Sequence, residues 1–117
     1  MSSEAFFNKS PEGQLAVDVL ETFGEIIIKT AIAGVQPSDV HIHITNDVVT
    51  IRGERKPPEY PKDATAHFEE CFWGAFSRSI ILPHHVNPDL ARADFTQGVL
   101  TLNIPKLASE KEIALTL

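Results

Sequence analysis

Apolar and polar positions alternate along most of this chain, and the alternation has the period of a strand. Leu100, Leu102 and Ile104 stand against Val99, Thr101 and Asn103, so an extended segment here has one apolar face and one mixed face. Phe95 ends an apolar run just before it, and Thr96, Gln97 and Gly98 supply a tight turn with a glycine free to take positive φ. A hairpin with one buried face is predicted over residues 93–104. Pro105 cannot donate to a ladder, so the strand should stop there and release a polar segment, 106–112, ahead of a short apolar end in which Ile113 and Leu115 alternate with smaller residues. That end has no partner within its own hairpin and reads as a segment built to dock elsewhere.

The same period runs upstream. Leu15, Val17 and Val19 share one face of a predicted strand, residues 22–25 make a turn, and residues 26–32 are apolar at nearly every position. That density predicts a central strand covered on both faces and paired with the preceding one in a meander. A turn over 33–39 leads to Val40, Ile42 and Ile44 on one face, with His41, His43 and Thr45 on the other. Asn46 and Asp47 turn the chain into a strand over 48–55. Pro57, Pro58 and Pro61 then exclude strand or helix interior from residues 56–64, an extended loop, and weak strand character returns over 65–71. Phe76, Arg78, Ile80 and Leu82 share a face of a strand closed by Pro83. Residues 84–90 connect through one helical turn capped by Asn87 ahead of Pro88. Seven to eight short antiparallel strands without a long helix or internal repeat predict an all-β, immunoglobulin-like sandwich.

The 117 residues and 43% hydrophobic content support one domain, burying about 65% of its unfolded surface. A net charge of −6 argues against a sequence-independent grip on nucleic acid or an anionic membrane. A single cysteine, Cys71, allows no internal disulfide, and the first residues lack a basic segment followed by an apolar core; both fit a cytoplasmic setting.

Catalytic and metal chemistry find little seat. No phosphate-cradling Gly-x-x-x-x-Gly-Lys-Ser/Thr loop, dinucleotide Gly-x-Gly-x-x-Gly or Gly-x-Ser-x-Gly elbow occurs. His67 and Cys71 are four residues apart, about 13 Å on an extended segment and too far for proton transfer. His41 and His43 offer half of a metal site of the kind a cupin-like barrel uses, but no glutamate follows at a ligand spacing; two solvated histidines opposite an apolar face account for them better. No enzymatic activity, cofactor or metal is expected.

Collinear motifs carry a family resemblance: Gly34-Val35, Gly53-Glu54-Arg55, Gly74-x-Phe76-x-Arg78, Leu82-Pro83, Gly98-Val99-Leu100, Pro105-Lys106 and Ile113-x-Leu115. Together they resemble the small heat-shock protein family, built on the α-crystallin domain. The departures are Ala33 for a proline, Cys71 for an arginine, Gln97 for asparagine or aspartate, and leucine rather than isoleucine or valine in the tail. The resemblance implies an N-terminal arm over 1–13, a domain over 14–106 and a C-terminal extension over 107–117. It implies a groove lined by Val40, Ile42, Ile44, Ala91, Ala93 and Phe95 that takes the Ile113-x-Leu115 tail of a neighbouring subunit by strand addition. Thr65, Ala66, His67, Phe68, Glu69 and Arg78 would form a dimer interface through exchange of the loop strand. Phe6 and Phe7 fit two readings, a frayed terminus or a weak contact for clients or subunits. The function implied is ATP-independent capture of partly unfolded proteins, with the chain itself as assembly partner. A scaffold of the related CS type, binding one folded partner, is the alternative.

Overall fold

The alternating pattern is realised as eight strands in a computed structural model that describes residues 13–108 and Leu115. They are β1 (Gly13–Gln14), β2 (Asp18–Glu21), β3 (Glu25–Ala31), β4 (Val40–Ile44), β5 (Val48–Arg55), β6 (Gly74–Ile81), β7 (Arg92–Thr96) and β8 (Val99–Pro105). Two four-stranded sheets result, ordered β1-β6-β5-β4 and β2-β3-β8-β7. All ladders are antiparallel except that of β1 with β6, a short parallel pairing of Gly13 with Phe76 and Gln14 with Ser77. The fold is the all-β sandwich that the strand pattern predicts.

Its core lies between the inner faces, where Ile26, Ile28, Val49, Ile51, Leu102 and Ile104 are buried. Leu100, Leu102 and Ile104 point inward as their alternation predicts, and Asn87 accepts a hydrogen bond from Asp89 N at the start of a single 3-10 turn. β8 ends at Pro105, after which Lys106 makes one bridge to Val86.

Two expectations are corrected. Residues 15–19 are not one strand: the chain leaves the first sheet after Gln14 and joins the second at Asp18. In between, the backbone is satisfied by side chains rather than by a ladder. Arg78 Nη1 donates to Leu15 O at 2.6 Å, and the buried Thr30 hydroxyl donates to Ala16 O at 2.8 Å. Nor is β3 covered on both faces. Ile26, Ile28 and Thr30 are buried, but Ile27 is half-buried and Lys29 and Ala31 are exposed on the outer face. A sandwich of two sheets covers one face of each, and the apolar outer position Ile27 is shielded only by its neighbours, among them Leu20 opposite it on β2.

The β7–β8 turn places both Gln97 (φ 53°) and Gly98 (φ 78°) in the left-handed region, the geometry of a type I′ turn. Glycine suits it without cost, whereas a long side chain at Gln97 does not. Gln97→Asn is expected to raise the unfolding free energy by about 0.5–1 kcal/mol, read from the urea midpoint. An unchanged or lower midpoint would contradict that account of the turn.

Candidate functional site: the open side of the sandwich and the long loop

Residues 15–17 join the β1 edge of one sheet to the β2 edge of the other, a span of about 10 Å that matches the spacing of packed sheets. The opposite edges, β4 and β7, therefore lie together at the other side. Among the described residues no strand pairs with the outer edge of either. Both present unpaired backbone groups, the template that strand addition needs.

Register fixes which side chains line this open side. Val40, Ile42 and Ile44 pair with Gly53, Ile51 and Val49, on the core-facing side of β5. Ala93 and Phe95 pair with the buried Leu102 and Leu100, so they too face inward. Val40, Ile42, Ile44, Ala91 and Phe95 pack half-buried against the core, and Ala93 is exposed. An inward-facing apolar residue open to solvent marks where the sandwich is unsealed. Of the tail, Leu115 is 86% exposed. Ile113, like Phe6 and Phe7, lies outside the described residues.

The extension leaves from a firmly tied root. Lys106 N donates to Gly24 O at 2.9 Å and Leu107 N to His85 O at 3.0 Å, while Asn87 N donates to Pro105 O at 2.9 Å. The Lys106 ammonium also pairs with Glu21, and its hydrogen bond holds the Glu21 carboxyl below the usual carboxylate range.

The chain between β5 and β6 is a long loop whose middle pairs with no strand among the described residues. Residues 56–73 are exposed throughout, and no strand forms over 65–71 within the chain. That corrects the expectation of strand character there: with Thr65, Ala66, His67, Phe68 and Glu69 all exposed, the segment has no ladder partner to order it. The loop nevertheless holds large apolar side chains in solvent among its charges, with Phe68 at 85% and Tyr60 at 61% exposure. It folds around a cavity of about 460 Å³ lined by Tyr60, Pro61, Ala64, Phe68, Cys71 and Trp73 among others. Arg78 lies apart from this head, on the inner side of β6, held by Leu15 O.

His41 and His43 share the outer face of β4, exposed, opposite Arg52 and Thr50. Among the described residues no three His, Cys, Asp or Glu side chains gather for a metal, and no helix is long and apolar enough to cross a membrane.

Residues 18–115 match the model of the Hsp20/alpha crystallin family. The chain belongs to that family. It is similar to small heat shock protein C2 of Rickettsia felis, 34% identical over 89 residues that make up 76% of this chain and 58% of that protein. The 17.6 kDa class I heat shock protein 1 of Arabidopsis thaliana is 35% identical over 99 residues, 84% of this chain and 64% of that one. The chain thus spans a little under two thirds of these relatives. Among solved structures, heat shock protein 16.0 from Schizosaccharomyces pombe superposes with a TM-score of 0.75 at 28% identity, over 90% of this chain and 100% of that one. The hspA structure from Xanthomonas axonopodis gives 0.71 at 27% identity, over 82% and 96%. Membership in this small heat-shock protein family accounts for the sandwich and for the collinear motifs. In the sequence Arg55 stands only as the end of a motif; its contacts with Ala33 and Phe72 join segments too far apart in the chain for any local pattern to reveal.

Proposed function

We propose that this chain is an ATP-independent holdase that captures partly unfolded proteins and prevents their aggregation, rather than an enzyme, and that it works in the cytoplasm. The observation that carries this reading is the open apolar side of the sandwich, where inward-facing Ala93 is exposed beside half-buried Val40, Ile42, Ile44, Ala91 and Phe95. Family membership supports the chaperone role.

The Ile113-x-Leu115 tail of a neighbouring copy is the natural occupant of this groove. Burying its two aliphatic side chains contributes roughly 1.5–3 kcal/mol each, and ordering the backbone costs about 1–2 kcal/mol per residue. The two nearly cancel, so docking is reversible and the groove opens readily to an unfolded client. Self-assembly has a second contact in the long loop, where residues 65–69 of one copy pair with another and Arg78 sits at the interface. Phe6 and Phe7 add a client or subunit contact, and no cofactor, nucleic acid or membrane takes part.

The test is light scattering of a heat-aggregating client, without ATP, with the wild type and the Ile113→Ala/Leu115→Ala double variant. The wild type is expected to suppress scattering at substoichiometric to equimolar ratios. The double variant is expected to form smaller assemblies by sedimentation and to change the suppression. No suppression above equimolar ratios would sink the holdase reading and favour a CS-type scaffold with one folded partner.

A further inference from the structure

The loop head is exposed, but its base is not loose, and one side chain accounts for that. Arg55 ends β5 on the inner face, half-buried. Its Nε donates to Ala33 O at 2.8 Å and its Nη1 to Phe72 O at 3.3 Å, while the guanidinium lies 5.9 Å from the centroid of the Phe76 ring. Its aliphatic stem runs beside Gly34, whose φ of +84° turns the chain after β3; a Cβ there would sit 3.6 Å from Arg55 Cδ. A single guanidinium therefore joins the segment that leaves β3 in one sheet to the segment that enters β6 in the other.

The grip on Phe72 is extended by its ring, which packs on Gly13 so closely that an added Cβ would lie 2.9 Å from Phe72 Cε2. The returning arm of the loop is thus fastened to β1 and β6 up to Phe72. The outgoing arm has a weaker tie, Lys56 Nζ to Asp39 Oδ1 at 3.4 Å, with the lysine largely exposed. Only a planar fork of donors reaches two carbonyls and an aromatic face together; an ammonium takes one of them.

We infer that Arg55 is a positioning residue for self-assembly: by locking the base of the loop, it leaves only the head to be ordered when two copies pair through residues 65–69. This rests on the loop-pairing reading above. With the base locked, fewer residues lose freedom on association, and the saving appears in affinity rather than in contacts. The donor groups of Arg55 touch no residue of the head, so Arg55 acts through Phe72 and not on the partner directly.

The test uses the full chain carrying Ile113→Ala/Leu115→Ala, so that sedimentation velocity over a dilution series reads the loop contact alone. Arg55→Met and Arg55→Lys are each expected to weaken dimerisation by about tenfold, and Lys56→Gln by less than twofold because its ion pair is exposed. Thermal unfolding of the same proteins separates the roles. A purely structural arginine would lower the unfolding midpoint and leave the dissociation constant, measured far below that midpoint, unchanged; that result overturns the inference. A second variant in which a short Gly-Ser link replaces residues 60–70 tests the underlying reading. If it dimerises as well as its parent, or if the parent stays monomeric, the loop is not the contact and both ideas fall. A dimer lost on loop replacement but indifferent to Arg55 overturns the Arg55 role alone.

Discussion

Gly53→Ala is expected to lower the unfolding free energy by about 3 kcal/mol, a shift of roughly 12 °C in the thermal midpoint. An ideal Cβ at this position would sit 2.5 Å from Phe76 Cζ and 2.7 Å from Asp39 O. The second contact is backbone, and the first is a buried ring 2% exposed; neither can move away freely. Alanine would otherwise stabilise by about 0.4–1 kcal/mol, through the reduced freedom of the unfolded chain. The steric term is larger, because Gly53 is paired with Val40 on one side and Phe76 on the other, which denies β5 a sideways shift. Circular dichroism melts of wild type and variant decide the matter. A midpoint within a few degrees of wild type would show that the ring rotates out at little cost.

Ile28→Ala and Ile27→Ala form the second comparison. Ile28 is 0% exposed between the sheets, and its truncation is expected to cost about 3–4 kcal/mol, the sum of lost transfer free energy and an unfilled cavity. Ile27, one residue earlier, is half-buried on the outer face opposite Leu20 and Asn103. There the same change leaves no enclosed void and should cost under about 1 kcal/mol. Urea unfolding with a shared slope gives both values. Equal costs would mean that the outer face of β3 is covered after all.

These adjacent isoleucines mark the limit of sequence reading. The run Ile26, Ile27, Ile28 is consistent with a strand buried on both faces, and nothing local separates it from a strand with one apolar face and one shielded outer position. Where polar residues interrupt the run the inner face is legible, as in β8, whose Leu100, Leu102 and Ile104 are all buried. The break between β1 and β2 was not legible either. Leu15, Val17 and Val19 keep the period of a strand, while the hydrogen bonds that hold the crossing come from Thr30 and Arg78, distant in sequence.

The candidate site divides the same way. The family resemblance proposes the residues of the groove and the loop contact, and the alternation of Val40, Ile42 and Ile44 against His41 and His43 matches the observed half-buried and exposed faces of β4. That β4 and β7 end their respective sheets on the same side is a property of strand order, which no single strand encodes. The Arg55 contacts with Ala33 and Phe72 likewise exist only once both sheets are assembled.

By itself, then, the sequence determined the all-β class, the inward faces of β4 and β8, the turn at Gly98, the stop at Pro105, the proline-rich loop and the family. These follow from side-chain period and backbone restriction, which act over a few residues. Tertiary structure alone decided which strands became edges, which apolar positions remained outside, where the chain changed sheets and what fastens the loop. Each of those depends on pairing between segments far apart in the chain, where the free energy of one contact is set by whether the others have formed.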